Sequence, residues 1–182
     1  MDKLTELAIK YGTDKWGKHH YTPVYFDLFH NKSKRRAIKK LLEIGPAEGA
    51  GLKMFRDFLP QATIYGAEID QKRVDALQNL DRIKVYQCDQ SQGNDLKRLL
   101  DQTGADLDVV IDDGSHIPSH QVFSCFMLMP LLPQDVIYVI EDVADPSIEE
   151  KLKMYDCELV KVGERYDDQL LIVRKRDRKT NA

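Results

Sequence analysis

The sequence predicts an α/β protein: a mostly parallel sheet of seven strands, helices on both faces, and an antiparallel hairpin at the C-terminal end. Three observations predict it. Short apolar runs alternate with helix-period stretches from residue 41 onward, and such alternation builds a parallel sheet covered on both sides. The last two apolar runs, 157–163 and 169–175, flank the polar turn ERYDD and read as a hairpin. Loops rich in glycine and acid follow the apolar runs, where open α/β sheets bind ligands.

The elements follow in order. Leu4, Leu7, Ala8 and Tyr11 recur three or four apart, as on one face of a helix, and Gly12 ends it. The polar, aromatic-rich loop GTDKWGKHHYT leads into a second helix, PVYFDLFH, with Thr22 as N-cap and Pro23 as its first residue. LLEIG (41–45) reads as a buried strand, and GLKMFRDFL (51–59) as a helix stopped by Pro60. Strands are expected at 63–69, 83–88, 107–113 and 135–142, and helices at 71–80, 94–103, 119–132 and 146–155. The resulting division is a lead-in at 1–40 that covers the active site, a core domain at 41–175, and a disordered tail at 176–182.

Composition bounds the function. A chain of 182 residues with 42% hydrophobic content suits one domain with a full core. Charged residues make up 31% and the net charge is -3, which gives no reason to expect nucleic acid or a membrane surface as partner. The N-terminus is too short and charged for a signal peptide, and the run from Val122 to Leu132 is broken by Ser124 and Pro130. Cys88, Cys125 and Cys157 are odd in number and form no CxxC pair, so a reduced, cytoplasmic protein is expected.

The residues after each strand are the ones to read for ligands. After the first comes EIGPAEGAG, in which Gly45 and Gly49 let backbone approach a ligand. Its GxxxGxG spacing is not the dinucleotide GxGxxG, and no Lys-Ser/Thr makes it a P-loop. An ordinary tight turn is the bland alternative. Glu68 closes the second strand, 23 residues after Gly45, where a carboxylate can accept both hydroxyls of a ribose. Asp70 reads as a helix N-cap. Asp89 in QCDQS is either an acceptor for an adenine amino group or an Asx turn.

Asp112-Asp113-Gly114-Ser115-His116 ends the fourth strand and Glu141-Asp142 the fifth. Consecutive parallel strands are usually neighbours, so these acids converge. Like charges brought together cost several kcal/mol without compensation. A divalent cation is the simplest compensation, and carboxylate ligands point to a hard ion, Mg²⁺ or Mn²⁺. The alternative leaves Asp112 and Asp142 as helix caps and the rest as solvated charges. Because strand residues alternate in direction, Asp112 and Asp113 are not expected to share a role.

EIGPAEGAG, GAEID and CDQS, each at a strand end and in that order, resemble the class I S-adenosylmethionine (SAM)-dependent methyltransferases over residues 41–175. That version of the Rossmann architecture closes on an antiparallel hairpin. DDGSH and IEDV, with the lead-in YGTDKWGKHHYTPVYFDLF, are similar to metal-dependent sugar O-methyltransferases of macrolide tailoring, the mycinamicin and tylosin type. The resemblance implies that Asp113, Glu141 and Asp142 bind the metal and that His116 is the base. It implies a cofactor site of Glu43, Gly45, Gly49, Glu68, Asp89, Gln90 and Asp112. Lys15 or Tyr21 of the lead-in is expected near the methionine end of SAM or near the acceptor. His19, His20 and His120 are expected at the surface or in structural roles. The mycinamicin branch carries a sizeable extra N-terminal domain, whereas about 40 residues precede the first core strand here.

The expected activity is O-methyl transfer to a hydroxyl of a sugar or glycosylated natural product. The expected partner is a small-molecule glycoside, without nucleic acid or membrane, and a homo-oligomer stays open. A catechol-type metal-dependent O-methyltransferase and a non-catalytic SAM-binding module are the alternatives. A hydroxylase is disfavoured because no His-rich iron triad is visible.

Overall fold

The computed structural model describes residues 1–35, 37–78 and 80–177. Two helices, α1 (Lys3–Tyr11) and α2 (Thr22–Arg35), precede β1 (Lys40–Ile44), α3 (Ala50–Phe58), β2 (Thr63–Glu68), α4 (Gln71–Ala76) and β3 (Ile83–Gln87). Then follow α5 (Gly93–Thr103), β4 (Val109–Asp112), α6 (Pro118–Leu128), β5 (Ile137–Ile140), α7 (Ile148–Lys151), β6 (Asp156–Lys161) and β7 (Gln169–Arg174). The sheet order is β3-β2-β1-β4-β5-β7-β6. Neighbours from β3 to β5 pair in parallel, and β7 is antiparallel to both β5 and β6. The expected seven-stranded sheet and its closing hairpin are both present.

Period-two alternation along each strand divides the core. Leu41, Ile64, Val109 and Val139 face one side, where α1, α2, α3 and α4 cover them with Leu4, Tyr25, Phe55 and Val74. Leu42, Tyr65, Val110 and Tyr138 face the other, under Leu96, Leu99, Cys125 and Leu128 of α5 and α6. The lead-in helices are therefore half of one covering layer. Tyr25 and Phe29 of α2 join Phe55 of α3 in an aromatic cluster with ring centroids 5.6–5.8 Å apart.

Local signals explain most element ends. Gly12 closes α1 in the left-handed conformation (φ 67°), and the Asp70 side chain caps α4 by accepting from Lys72 N. The helix expected at 119–132 stops at Leu128 and tightens into a 3-10 turn over Met129–Leu131, because Pro130 lacks the N–H an α-helix needs. The helix expected at 71–80 ends at Ala76. Thr22 lies inside α2 instead of capping it, with its hydroxyl 2.7 Å from that of Thr5. Most of the expected tail lies outside the described residues. Arg176 at its start donates to the carbonyls of Tyr155 and Lys153. Among the described residues no helix is long and apolar enough to cross a membrane.

Candidate active site

The sheet order reverses beside β1, whose neighbours β2 and β4 run to opposite edges. Loops diverge there, and a cleft of about 630 Å³ opens at the carboxyl ends of the strands. Its walls come from the loops after β1 (Gly45–Glu48), β2 (Glu68, Ile69), β3 (Cys88–Ser91) and β4 (Asp113–His116), from Ala50 and Gly51 at the start of α3, and from Gly12–Lys15 of the lead-in. Gly45 permits a close approach of two of these loops. Its φ is +79°, and a Cβ there would press on the Asp113 carbonyl oxygen and come within 2.5 Å of Gly114 Cα.

The expected cofactor residues divide into two groups. Glu43, Gly45, Glu68, Asp89, Gln90 and Lys15 line the cleft. Glu43 is buried, and its Oε2 has no hydrogen-bond partner. Glu68 holds its own loop, accepting from Ala47 N (3.1 Å) and Asp70 N (3.0 Å). Asp89 forms the Asx turn that was the competing reading, accepting from Ser91 N (2.9 Å) and Ser91 Oγ (2.7 Å).

Asp112, Tyr21 and Gly49 do not line the cleft. Asp112, expected in the cofactor site, instead points away from Asp113 to the other face of the sheet and accepts from Ser124 Oγ, Gln90 Nε2 (2.9 Å) and Tyr138 OH (3.3 Å). It acts on the cleft through Gln90, whose Oε1 accepts from Ser115 N at 2.7 Å. Tyr21 is fully buried and donates to Asp142 Oδ1 at 2.7 Å. Gly49, at φ +78°, begins α3 against Leu77.

At the ends of β4 and β5, Asp113, His116 and Asp142 bring one potential ligand atom each within 4.8 Å of one another. His116 Nε2 lies 3.7 Å from Asp142 Oδ2 and 4.0 Å from Asp113 Oδ1. Both His116 (φ 55°) and Asp142 (φ 51°) sit in the left-handed region, which non-glycine residues rarely occupy. Such backbone strain gathers at functional sites. His116 is 42% exposed, so its imidazole can meet a ligand from solvent.

Glu141 does not join this group. It points to the buried side, where Lys15 Nζ lies 2.9 Å from Oε1 and the Tyr25 hydroxyl donates to the same oxygen at 2.5 Å. Lys15, 1% exposed, also reaches Asp113 Oδ2 (2.6 Å) and Glu43 Oε1 (3.1 Å). One ammonium thus serves three carboxylates. It is itself held well above its ordinary pKa by those acids, against the cost of its burial. It cannot neutralise all three. Burial raises Glu43 and Asp113, and burial followed by the charge of Asp113 raises Glu141 strongly.

Sequence reasoning missed three residues. His19, expected at the surface, is 1% exposed; its Nδ1 pairs with Asp168 Oδ1 at 2.7 Å and its Nε2 lies 3.5 Å from Asp142 Oδ1. Tyr25 reads as a core residue and also holds Glu141. His120, at the start of α6, lines the cleft with Nδ1 3.0 Å from Ser115 Oγ. The SHIPSH spacing is the available signal for His120, since it puts two histidines around one helix start. His20 stays exposed, edge-on to Trp16.

No protein-family model matches the chain. Its sheet order and closing hairpin are those of the class I methyltransferase fold. Within the class its homologues are sugar O-methyltransferases of natural-product pathways. It is 37% identical over 147 residues to the 8-demethyl-8-alpha-L-rhamnosyl tetracenomycin-C 2'-O-methyltransferase of Streptomyces olivaceus, a match covering 77% of this chain and 37% of the relative. It is 38% identical over 148 residues to the mycinamicin VI 2''-O-methyltransferase of Micromonospora griseorubida, covering 77% and 36%. Among solved structures, the methyltransferase MycE in complex with Mg, SAH and mycinamycin VI superposes with a TM-score of 0.78 at 28% identity, over 100% of this chain and 57% of that one. The chain spans little more than a third of the length of these curated relatives.

Proposed function

We propose that this protein is a SAM- and divalent-metal-dependent O-methyltransferase acting on a hydroxyl of a sugar or glycosylated natural product, in the cytoplasm. One observation carries the reading: in the Asp113–His116–Asp142 group, Asp113 and His116 line the same cleft as Glu43, Gly45 and Glu68. The relatives named above share the chemistry.

The residues present fit both absent groups. Glu43 offers a buried oxygen without a hydrogen-bond partner at the cleft wall, and Gly45 lets the loops after β1 and β4 close together on that wall. Glu68, on the cleft wall, would accept the hydroxyls of a ribose. Glu43, Asp113, Glu141 and Asp142 outnumber the ammonium among them, so the site has room for further positive charge. Asp113 and Asp142 would hold a hard dication, with Glu141 behind them against Lys15. When bound, such an ion lowers the pKa of a coordinated hydroxyl, and SAM supplies an electrophilic methyl group.

His116 lines the cleft and takes the proton from the acceptor hydroxyl as general base. Asp113 Oδ1 and Asp142 Oδ2 flank the imidazole, 4.0 and 3.7 Å from its Nε2. Gly12–Lys15 form one wall of the cleft, which supports reading residues 1–40 as a lead-in that covers the active site of a cofactor-binding domain at 41–175. The walls hold the acceptor oxygen near the methyl group, which supplies much of the remaining acceleration.

The test is a screen for SAM consumption against glycosides and catechols, with and without Mg²⁺. Metal-dependent turnover of glycosides is expected. Turnover of catechols alone moves the acceptor class, and full turnover in excess chelator removes the metal from the mechanism.

A further inference from the structure

His19 comes from a loop built to present it. His19 N donates to Asp14 O (3.0 Å), Tyr21 N donates to Lys15 O (3.0 Å), and Trp16 and His20 form an isolated bridge. The imidazole is buried and stacks on the Tyr21 ring, with centroids 4.8 Å apart and planes within 7°. Its Nδ1 lies 2.7 Å from Asp168 Oδ1, while its Nε2, without a hydrogen-bond partner, lies 3.5 Å from Asp142 Oδ1.

Asp168 is equally fixed. It belongs to the loop joining β6 and β7, where its Oδ2 accepts from Arg165 N at 2.9 Å and its carbonyl accepts from Val162 N at 2.9 Å. Asp142 is the convergence point. Its Oδ1 takes the Tyr21 hydroxyl and faces His19, and its Oδ2 faces His116 across the cleft mouth. The two oxygens of one carboxylate thus have separate surroundings. One is held by the lead-in, and the other is left for a ligand.

We infer that the Asp168–His19 pair is a positioning device for Asp142, through which the lead-in and the C-terminal hairpin set the affinity of the site for a divalent cation. The inference rests on the proposed metal-dependent reading. Asp142 sits at φ 51°, a conformation that persists only when its surroundings hold it. Tyr21 of the lead-in holds its Oδ1 by a hydrogen bond, and His19, fixed by Asp168 of the hairpin, stands 3.5 Å from the same oxygen, at sequence separations of more than 100 residues from His19 to Asp142 and Asp168. Groups that orient a metal ligand from behind change affinity by roughly 10- to 100-fold when removed.

The experiment is calorimetric titration of the full chain with MnCl₂, for wild type, His19→Gln and Asp168→Asn, with a parallel titration of S-adenosylhomocysteine. Thermal unfolding in EDTA is recorded for each. Both variants are expected to bind Mn²⁺ about 10- to 100-fold more weakly and to bind S-adenosylhomocysteine within about twofold of wild type. Asp168→Asn keeps the shape of the hairpin side chain and carries the test if His19→Gln does not fold. Wild-type Mn²⁺ affinity in a folded variant overturns the inference. So does an equal loss of both ligands, which marks a general structural role. A wild type that binds no Mn²⁺ removes the metal-dependent reading itself, a result distinct from either.

Discussion

Lys15→Met is the most demanding test of the buried charge cluster. Methionine keeps much of the unbranched stem and removes the ammonium, which lies within 3.1 Å of carboxylates from Glu43, Asp113 and Glu141. Removing one partner of a buried ion pair leaves an uncompensated charge and costs about 3–5 kcal/mol. For a domain of this size that lowers Tm by about 6–20 °C. The loss depends on pH, and its sign follows from the carboxyls. Burial, and then the charge of Asp113, hold Glu141 well above its ordinary 4.5, and Lys15 pulls it back down. Burial raises Glu43 in the same way, again against Lys15. A carboxyl whose native pKa exceeds its unfolded one keeps its proton longer in the native state. Stability therefore falls as pH rises from the unfolded value through the native one. Without Lys15 the native values climb further and the window widens upward. The deficit of the variant should be small near pH 4.5 and grow toward neutral pH. Urea unfolding in EDTA, followed by circular dichroism between pH 4.5 and 8, measures it. An unchanged midpoint at neutral pH, or a deficit that grows toward acid, refutes the reasoning.

Other outcomes follow from single contacts. Gly45→Ala combines strain at φ +79° with a Cβ pressed on the loop after β4, and should cost about 2–5 kcal/mol in thermal unfolding; a wild-type Tm would show that the two loops can part freely. His116→Ala should bind SAM and metal nearly as wild type and lose roughly 10²–10⁴-fold in rate, and normal turnover would remove it as the base. Asp113→Asn should bind Mg²⁺ sharply more weakly in direct titration, with activity partly recovered in excess metal; wild-type affinity would place the ion elsewhere. Glu68→Ala should weaken S-adenosylhomocysteine binding by about 1–3 kcal/mol by calorimetry, and an unchanged Kd would take the ribose contact away from it.

The sequence by itself determined the architecture, because strand and helix periods are local properties of the chain. Alternating apolar runs specify a parallel sheet, the polar turn ERYDD specifies the hairpin, and Gly12, Asp70 and Pro130 mark element ends by their own backbone chemistry. Alternation even separated Asp112 from Asp113, and one now braces Gln90 from below while the other faces the cleft. Only the tertiary structure decided who meets whom. Lys15 lies 98 residues from Asp113 and 126 from Glu141, and His19 lies 149 from Asp168. No period in the chain records such pairings. The sequence points to a lead-in over the active site, with Lys15 or Tyr21 near it, but not to the partners of these residues or to the burial of His19. Docked on the sheet, the lead-in buries Lys15, His19, Tyr21 and Tyr25 against the acids at the strand ends. Glu141 and Asp142 look like one pair in sequence. Adjacent residues at a strand end point apart, so Glu141 turns inward to the ammonium and Asp142 outward to the imidazole of His116.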